Sequence, residues 1–195
     1  MNRLLVGSAH GRFQPLHNGH LEYLLTAKSK CDFLWIGITQ FNIRGLAGSP
    51  MDRHREQPIN NPLTYFERLE LITQALMDEG IGRAEFGIVP FPIETPDLLP
   101  DFIPTNIPVF TTICEDWNRH KIRILEQQGY RVIVLWERVP KDVDGAQVRD
   151  KIRAGDPEWM NLVPPATVKA VQRYALRERL NSLNVPKEEP GEAQR

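Results

Sequence analysis

An α/β fold on a single open, doubly wound parallel sheet of about five strands is predicted by three features of this sequence. Five short apolar runs are continuously hydrophobic rather than alternating, as strands covered on both faces are: "RLLVGSA" (3–9), "DFLWIGIT" (32–39), "EFGIVPF" (85–91), "IPVFTTI" (107–113) and "YRVIVLWE" (130–137). Segments with helical periodicity lie between them. Strand and helix therefore alternate along the chain, the pattern of parallel strands joined by crossover helices.

Each element follows in order. After the first strand, "NGHLEYLLTAKSK" places Leu21, Leu24, Leu25 and Lys28 on a helical repeat, with Asn18 the expected N-cap. The second strand runs into residues 40–62, "QFNIRGLAGSPMDRHREQPINNP", which have little periodicity and much Gly, Pro and Asn; unstructured connections of that length are commonly functional. "TYFERLELITQALMDEG" opens with the capping-box pair Thr64 and Glu67 and ends near Gly80. "CEDWNRHKIRILEQQG" is amphipathic and stops at Gly129. Two C-terminal helices, about 145–155 and 166–182, are parted by "DPEWMNLVPP". Residues 1–183 read as one domain and 184–195 as a polar, flexible tail.

Composition narrows the partners. The chain has 195 residues, 41% apolar and 25% charged, the balance of a soluble globular protein. A net charge of −1 gives no general attraction to nucleic acid or to an anionic membrane, so any anion must be held locally. Cys31 and Cys114 are too few for a disulfide framework or a metal cluster and fit a reducing cytoplasm. The N-terminal apolar run is too short for a signal peptide or a membrane span. A cytoplasmic protein with neither nucleic-acid nor membrane partner is expected.

The stretch "GRFQPLHNGH" (11–20) carries the chemistry. In an open α/β sheet, ligands bind beyond the carboxyl ends of the strands, and this stretch is the first such loop. The free N–H groups at the start of the following helix, with its dipole, favour a phosphate. His17 just outside that helix and His20 in its first turn can both reach one anion. Gly19 between them lets the backbone approach closely. Half a metal site is a weaker reading, because no Cys, Asp or Glu flanks the pair at ligand spacing. Arg12 just upstream favours phosphate.

This loop resembles the signature of the cytidylyltransferase-like nucleotidyltransferases, whose hallmark is His-x-Gly-His, and its form is most similar to archaeal-type nicotinamide mononucleotide adenylyltransferases. The likeness spans roughly residues 3–175. "NPLTYFERLELITQAL" is similar to that family's helix after its mobile loop, and "DGAQVRDKIRAGDPEWMNLVPPATVKAV" to its C-terminal segment. The resemblance implies a Rossmann-like fold. It also implies transfer of a nucleoside monophosphate from a triphosphate to a phosphate-bearing acceptor, with release of pyrophosphate. The acceptor's phosphate is already ionised, so neither a general base nor a covalent intermediate is expected; alignment and charge stabilisation carry the rate. On this resemblance His17 and His20 contact the triphosphate and the charge developing at the α-phosphate, Arg149 holds the β- and γ-phosphates, and Mg²⁺ neutralises the departing pyrophosphate without an assigned protein ligand. Gly11, Arg12, Phe13, Gln14, Asn18, Gly19 and Gly145 complete the implied nucleotide-binding set, and Arg153 joins it one turn beyond Arg149.

The sequence departs from the family in two places. Asp144 and Ala146 replace a Ser and a Thr of its Ser-Gly-Thr-Glu-Val-Arg motif. Asp144 with Gln147 still makes a capping box, and Mg²⁺ ligation by Asp144 is the alternative. On the acceptor side, Asn60 stands where the nicotinamide enzymes carry an arginine, and "IETPDLLPDF" has no match for the Asn and Trp that hold their nicotinamide ring. Arg44, Arg53 and Arg55 of the long loop, Asn60 and Trp117 are the acceptor-binding candidates, the loop acting as a lid that excludes water. Three functions follow: transfer from ATP to an acceptor such as nicotinamide mononucleotide, the favoured reading; transfer from CTP to a phosphonate or phosphorylated small molecule; or nucleotide binding without catalysis. The family forms assemblies, so a homo-oligomer stays open.

Overall fold

All five apolar runs become strands of one parallel sheet. The strands are β1 (Leu4–Gly11), β2 (Cys31–Ile38), β3 (Phe86–Pro90), β4 (Val109–Ile113) and β5 (Val132–Glu137), side by side in the order β3-β2-β1-β4-β5. The structure is a computed structural model that describes residues 3–46, 57–114, 116–138 and 143–183. The chain steps outward from β1 to β3, then returns to the other side of β1, which makes the β1–β4 gap the switch point of a Rossmann-like sheet. β1 pairs with β2 up to Gly11 and Ile38, whereas its pairing with β4 is recorded only at Ser8–Val109 and Ala9–Phe110. Past Ala9 a crevice opens between those strands.

Helices cover both faces. α1 (Asn18–Ser29), α2 (Tyr65–Asp78), α5 (Gly145–Ala154), α6 (Pro165–Arg173) and α7 (Leu176–Leu183) share one core, in which Leu24, Leu34, Ile36, Ile72 and Val148 are fully buried. Each such side chain contributes about 1.5–3 kcal/mol of transfer free energy. The short α3 (Leu99–Phe102) and α4 (Asp116–Gln127) close the other face over Phe91, Val109 and Leu125. α1 buries Tyr23, Leu24, Ala27 and Lys28, so the buried stripe is rotated from the expected one and Leu21 and Leu25 sit half-buried at its edge. The Thr64–Glu67 capping box forms in both directions, at 2.8 and 3.2 Å. Gly80 and Gly129 take φ of 79° and 87°, the left-handed turn that ends α2 and α4.

The predicted helix over 166–182 is two helices. The break is at Ala175, whose φ is 46° although no Gly or Pro marks it. A left-handed Ala costs about 1–2 kcal/mol. The turn places Arg179 on Glu67 through bonds of 2.7 and 2.8 Å and buries Leu176 and Leu180, which offsets that cost. The C-terminal helices thus pack on the core against α2. No helix among the described residues is long and apolar enough to cross a membrane. Arg53, Arg55 and residues 184–195 lie outside the described residues.

Candidate active site

The loop after β1 is pinned at three points before it reaches the histidines. Gln14 is buried, and its side chain both donates to and accepts from the backbone of Leu63, at 2.8 and 2.9 Å. Thr167 of α6 donates to the Leu16 carbonyl at 2.8 Å. Arg68 of α2, fully buried, donates to the carbonyls of Arg12 (2.9 Å), Thr39 (2.8 Å), Gln40 (2.8 Å) and Thr64 (3.2 Å). One guanidinium thereby ties the ends of β1 and β2 to α2. Burial, with the Arg12 charge nearby, lowers the Arg68 pKa to about 10, which leaves it charged at neutral pH.

His17, rather than Asn18, caps α1. His17 has extended backbone angles, and its Nδ1 accepts from the His20 N–H at 3.3 Å. That bond places the proton of the neutral ring on Nε2, making that atom a donor. Asn18 turns outward instead and donates to the Asn161 carbonyl at 3.0 Å. The two imidazoles stack, with centroids 3.7 Å apart and planes 20° from parallel. Phe13 supports His20 edge-on at 5.0 Å. Gly11 is required beneath Phe13, because a Cβ there would lie 2.8 Å from its ring. At Gly19 a Cβ would meet the His17 ring at 3.4 Å.

The start of α5 faces the same rings. Asp144 caps it by accepting from the Ala146 N–H at 3.0 Å, without the reciprocal Gln147 contact that a capping box requires. Arg149 reaches back across the crevice, donating to the Gln14 carbonyl at 2.8 Å and to Asn60 Oδ1 at 2.5 Å. Burial lowers its pKa, and Asp144 opposes that shift. A Cβ at Gly145 would come within 3.3 Å of Arg149 Nη1 and 4.0 Å of the His17 ring, so glycine keeps the cradle open.

These groups line one cavity of about 190 Å³ at the switch point. Gly11, Arg12, Gln14, Gly19 and Gly145 line it together with His17, His20 and Arg149. Three of the expected nucleotide-binding residues stand elsewhere. Phe13 is buried under His20, Asn18 is engaged by Asn161, and Arg153 pairs with Asp150 at 3.3 Å. The acceptor set is also redistributed: Asn60 holds Arg149, Arg44 is exposed on the loop after β2, and Trp117 lies against His120 at 5.3 Å. From the helix of Trp117 it is Asn118 and Lys121, one turn apart, that face the cavity.

Other lining residues were missed in the sequence. His10 and Thr39 close the β1–β2 side, and Trp136 with Arg138 closes the β5 side. Arg138 pairs with Glu22 at 3.2 Å and lies 5.6 Å over Trp136. His10 had a readable signal, a histidine at the end of an otherwise apolar strand. Among the described residues, no three His, Cys, Asp or Glu side chains are grouped to hold a metal ion.

Residues 8–155 match the cytidylyltransferase-like family model. The chain belongs to that family. It is a nucleotidyltransferase, and its relatives carry nucleotidyltransferase names. It is 38% identical to the phosphonoformate cytidylyltransferase of Streptomyces viridochromogenes, an alignment covering 91% of this chain and 96% of that one. It is 30% identical to the nicotinamide-nucleotide adenylyltransferase of Pyrococcus horikoshii, over 92% and 89% of the two chains. A bifunctional NMN adenylyltransferase/ADP ribose pyrophosphatase from Francisella tularensis, solved with AMP and a manganese ion, shares the fold at a TM-score of 0.64 and 19% identity. That match covers 94% of this nucleotidyltransferase and about half, 52%, of the larger protein.

Proposed function

We propose that this nucleotidyltransferase moves CMP from CTP onto a small phosphonate, with release of pyrophosphate. The observation that carries the reading is the use made of Asn60. It occupies the position where the nicotinamide enzymes carry an arginine, and its amide oxygen is turned onto Arg149 at 2.5 Å, toward the triphosphate side. The greater identity to a phosphonoformate cytidylyltransferase, 38% against 30% for the adenylyltransferase, supports the same choice. Transfer from ATP to nicotinamide mononucleotide is the second reading, favoured by that 30% relative.

The residues fit an in-line displacement. A phosphonate oxygen attacks the α-phosphorus, the bond to the bridging oxygen of the β-phosphate breaks, and pyrophosphate leaves with that electron pair. The attacking oxygen is ionised at neutral pH, so no side chain need remove a proton. Nε2 of His17 and the ring of His20 meet the α-phosphate, where charge builds in the transition state. Arg149, braced by Gln14 and Asn60, and the first turn of α5 hold the β- and γ-phosphates. Mg²⁺ supplies neutralisation of the pyrophosphate charge. The carboxylates of the cavity that would help to hold such an ion are Asp144, on the α5 cap, and Glu22, paired with Arg138.

Pyrophosphate release, measured with each of the four triphosphates against phosphonoformate and nicotinamide mononucleotide, tests the proposal. Turnover with CTP and phosphonoformate is expected. Turnover confined to ATP and nicotinamide mononucleotide would replace it with the second reading.

A further inference from the structure

The lining of the cavity divides at the β1–β4 switch point into two halves of different chemistry. On the β4–β5 half lie Thr111, Cys114, Asn118, Lys121, Trp136 and Arg138, where the indole of Trp136 offers a base a face to stack on. On the β1–β2 half lie Ile93, 3% exposed, and the polar groups of His10, Arg12 and Thr39, with the buried Phe91 stacked behind His10. In-line attack needs the two substrates on opposite sides of the α-phosphorus. The indole side suits the nucleoside, and the side that carries Arg12 and His10 suits a small anionic acceptor.

His10 is built into that half. It is 3% exposed, and its ring stacks on Phe91 with centroids 4.4 Å apart and planes 10° from parallel. Its backbone N–H donates to the Tyr23 hydroxyl at 3.1 Å, which in turn donates to the Phe110 carbonyl at 2.6 Å. Phe91 is held on β2, where its N–H donates to the Ile38 carbonyl at 2.9 Å and a Cβ at Gly37 would collide with it at 2.6 Å. Packing on this scale immobilises an imidazole that the phosphotransfer step does not use. A purely apolar wall would be served by Leu or Phe at this position.

We infer that His10, with Arg12 and Thr39, forms the acceptor subsite and selects acceptors that carry a second acidic group beside the phosphonate. The inference rests on the phosphonate reading above. The His10 ring donates an N–H to the acceptor's carboxylate, while Arg12 offsets the charge of the phosphonate oxygens not engaged in attack. A hydrogen bond to a charged group corresponds to roughly a ten- to hundredfold preference.

The test compares phosphonoformate with methylphosphonate, which lacks the carboxylate. Each is titrated by calorimetry into the protein saturated with a non-hydrolysable CTP analogue, and again with an ATP analogue. Wild type is expected to bind phosphonoformate at least tenfold more tightly. His10→Phe, which keeps the stack on Phe91, is expected to bring the two acceptors within about twofold of each other while leaving the affinity for the nucleotide analogue unchanged. His10→Asn, which retains an N–H donor, should keep part of the preference and serves if the Phe variant does not fold. A preference that is retained in full in whichever variant folds, or wild type that shows none or binds neither phosphonate, overturns the inference. A preference lost on substitution but seen only with the ATP analogue keeps the inference and removes CTP as the donor.

Discussion

The guanidinium of Arg149 lies 2.8 Å from the main-chain carbonyl of Gln14, a contact across 135 residues of sequence that closes the first loop against the last helix of the site. Its other arm is on Asn60. The cation proposed to hold the triphosphate is therefore positioned by two groups that carry no charge. Asn60→Ala should weaken CTP binding about tenfold, the scale of one hydrogen bond to a charged group, with little change in the maximal rate. Arg149→Ala should weaken it further. Unaltered triphosphate affinity in both variants would remove Arg149 from the site.

His17 caps α1 and, under the proposed function, also meets the α-phosphate, two roles that substitution can separate. As the cap of α1 it stabilises the fold by about 1 kcal/mol, and Asn is an equally good cap. His17→Asn should therefore melt within a degree or two of wild type and lose turnover. His17→Ala should lose both. His20→Ala should cut turnover by about 10²–10³ at nearly unchanged melting temperature. Preserved activity per folded molecule would make these rings packing residues.

Gly145→Ala makes a prediction of opposite sign for stability and binding. Alanine favours a helix over glycine by up to about 1 kcal/mol, but its Cβ would sit 3.3 Å from Arg149 Nη1. Melting temperature should hold or rise while triphosphate affinity falls. Thermal scans with and without CTP measure both.

Arg68→Met would leave the carbonyls of Arg12, Thr39, Gln40 and Thr64 without their buried donor. A loss of about 3 kcal/mol is expected, or a melting point lower by about 6–12 °C. An unchanged melting point would show that water replaces the guanidinium at no cost.

Acid should loosen the joint between α2 and α7. Burial raises the pKa of Glu67, but its bonds from Arg179 and Thr64 outweigh that and hold it below the usual glutamate range. A depressed carboxylate contributes stability above its unfolded pKa, about 4.3. That contribution is lost as pH falls from there through the folded value. Urea unfolding of wild type and Glu67→Gln should differ at pH 7 and converge near pH 3. A constant difference would assign the effect to packing.

The strands were legible because buried parallel strands leave unbroken apolar runs, whereas α1 buries Tyr23 and Ala27 in place of the expected Leu21 and Leu25. The turn at Ala175 was not legible, since only the pull of Arg179 on Glu67 and the burial of Leu176 and Leu180 make a left-handed alanine tolerable. In the site, the nearness of His17 and His20 could be read from spacing alone, as could the cap at Asp144, but not the stacking of the rings or the capping of α1 by His17 in place of Asn18. Arg68 carried no signal in the sequence, and Asn60 read as a substrate ligand, because both observed roles depend on carbonyls or side chains remote in sequence. Trp117 drew attention by its aromaticity, yet the helix turns Asn118 and Lys121 to the cavity.

Thr39 and Gln40 are fastened by Arg68, while Asn60 and Leu63 are fastened separately by Arg149 and Gln14. Both banks of the stretch between them are moored to the scaffold on their own account. A relative could lengthen or shorten that span to suit a different cargo, and the imidazoles would not register the change.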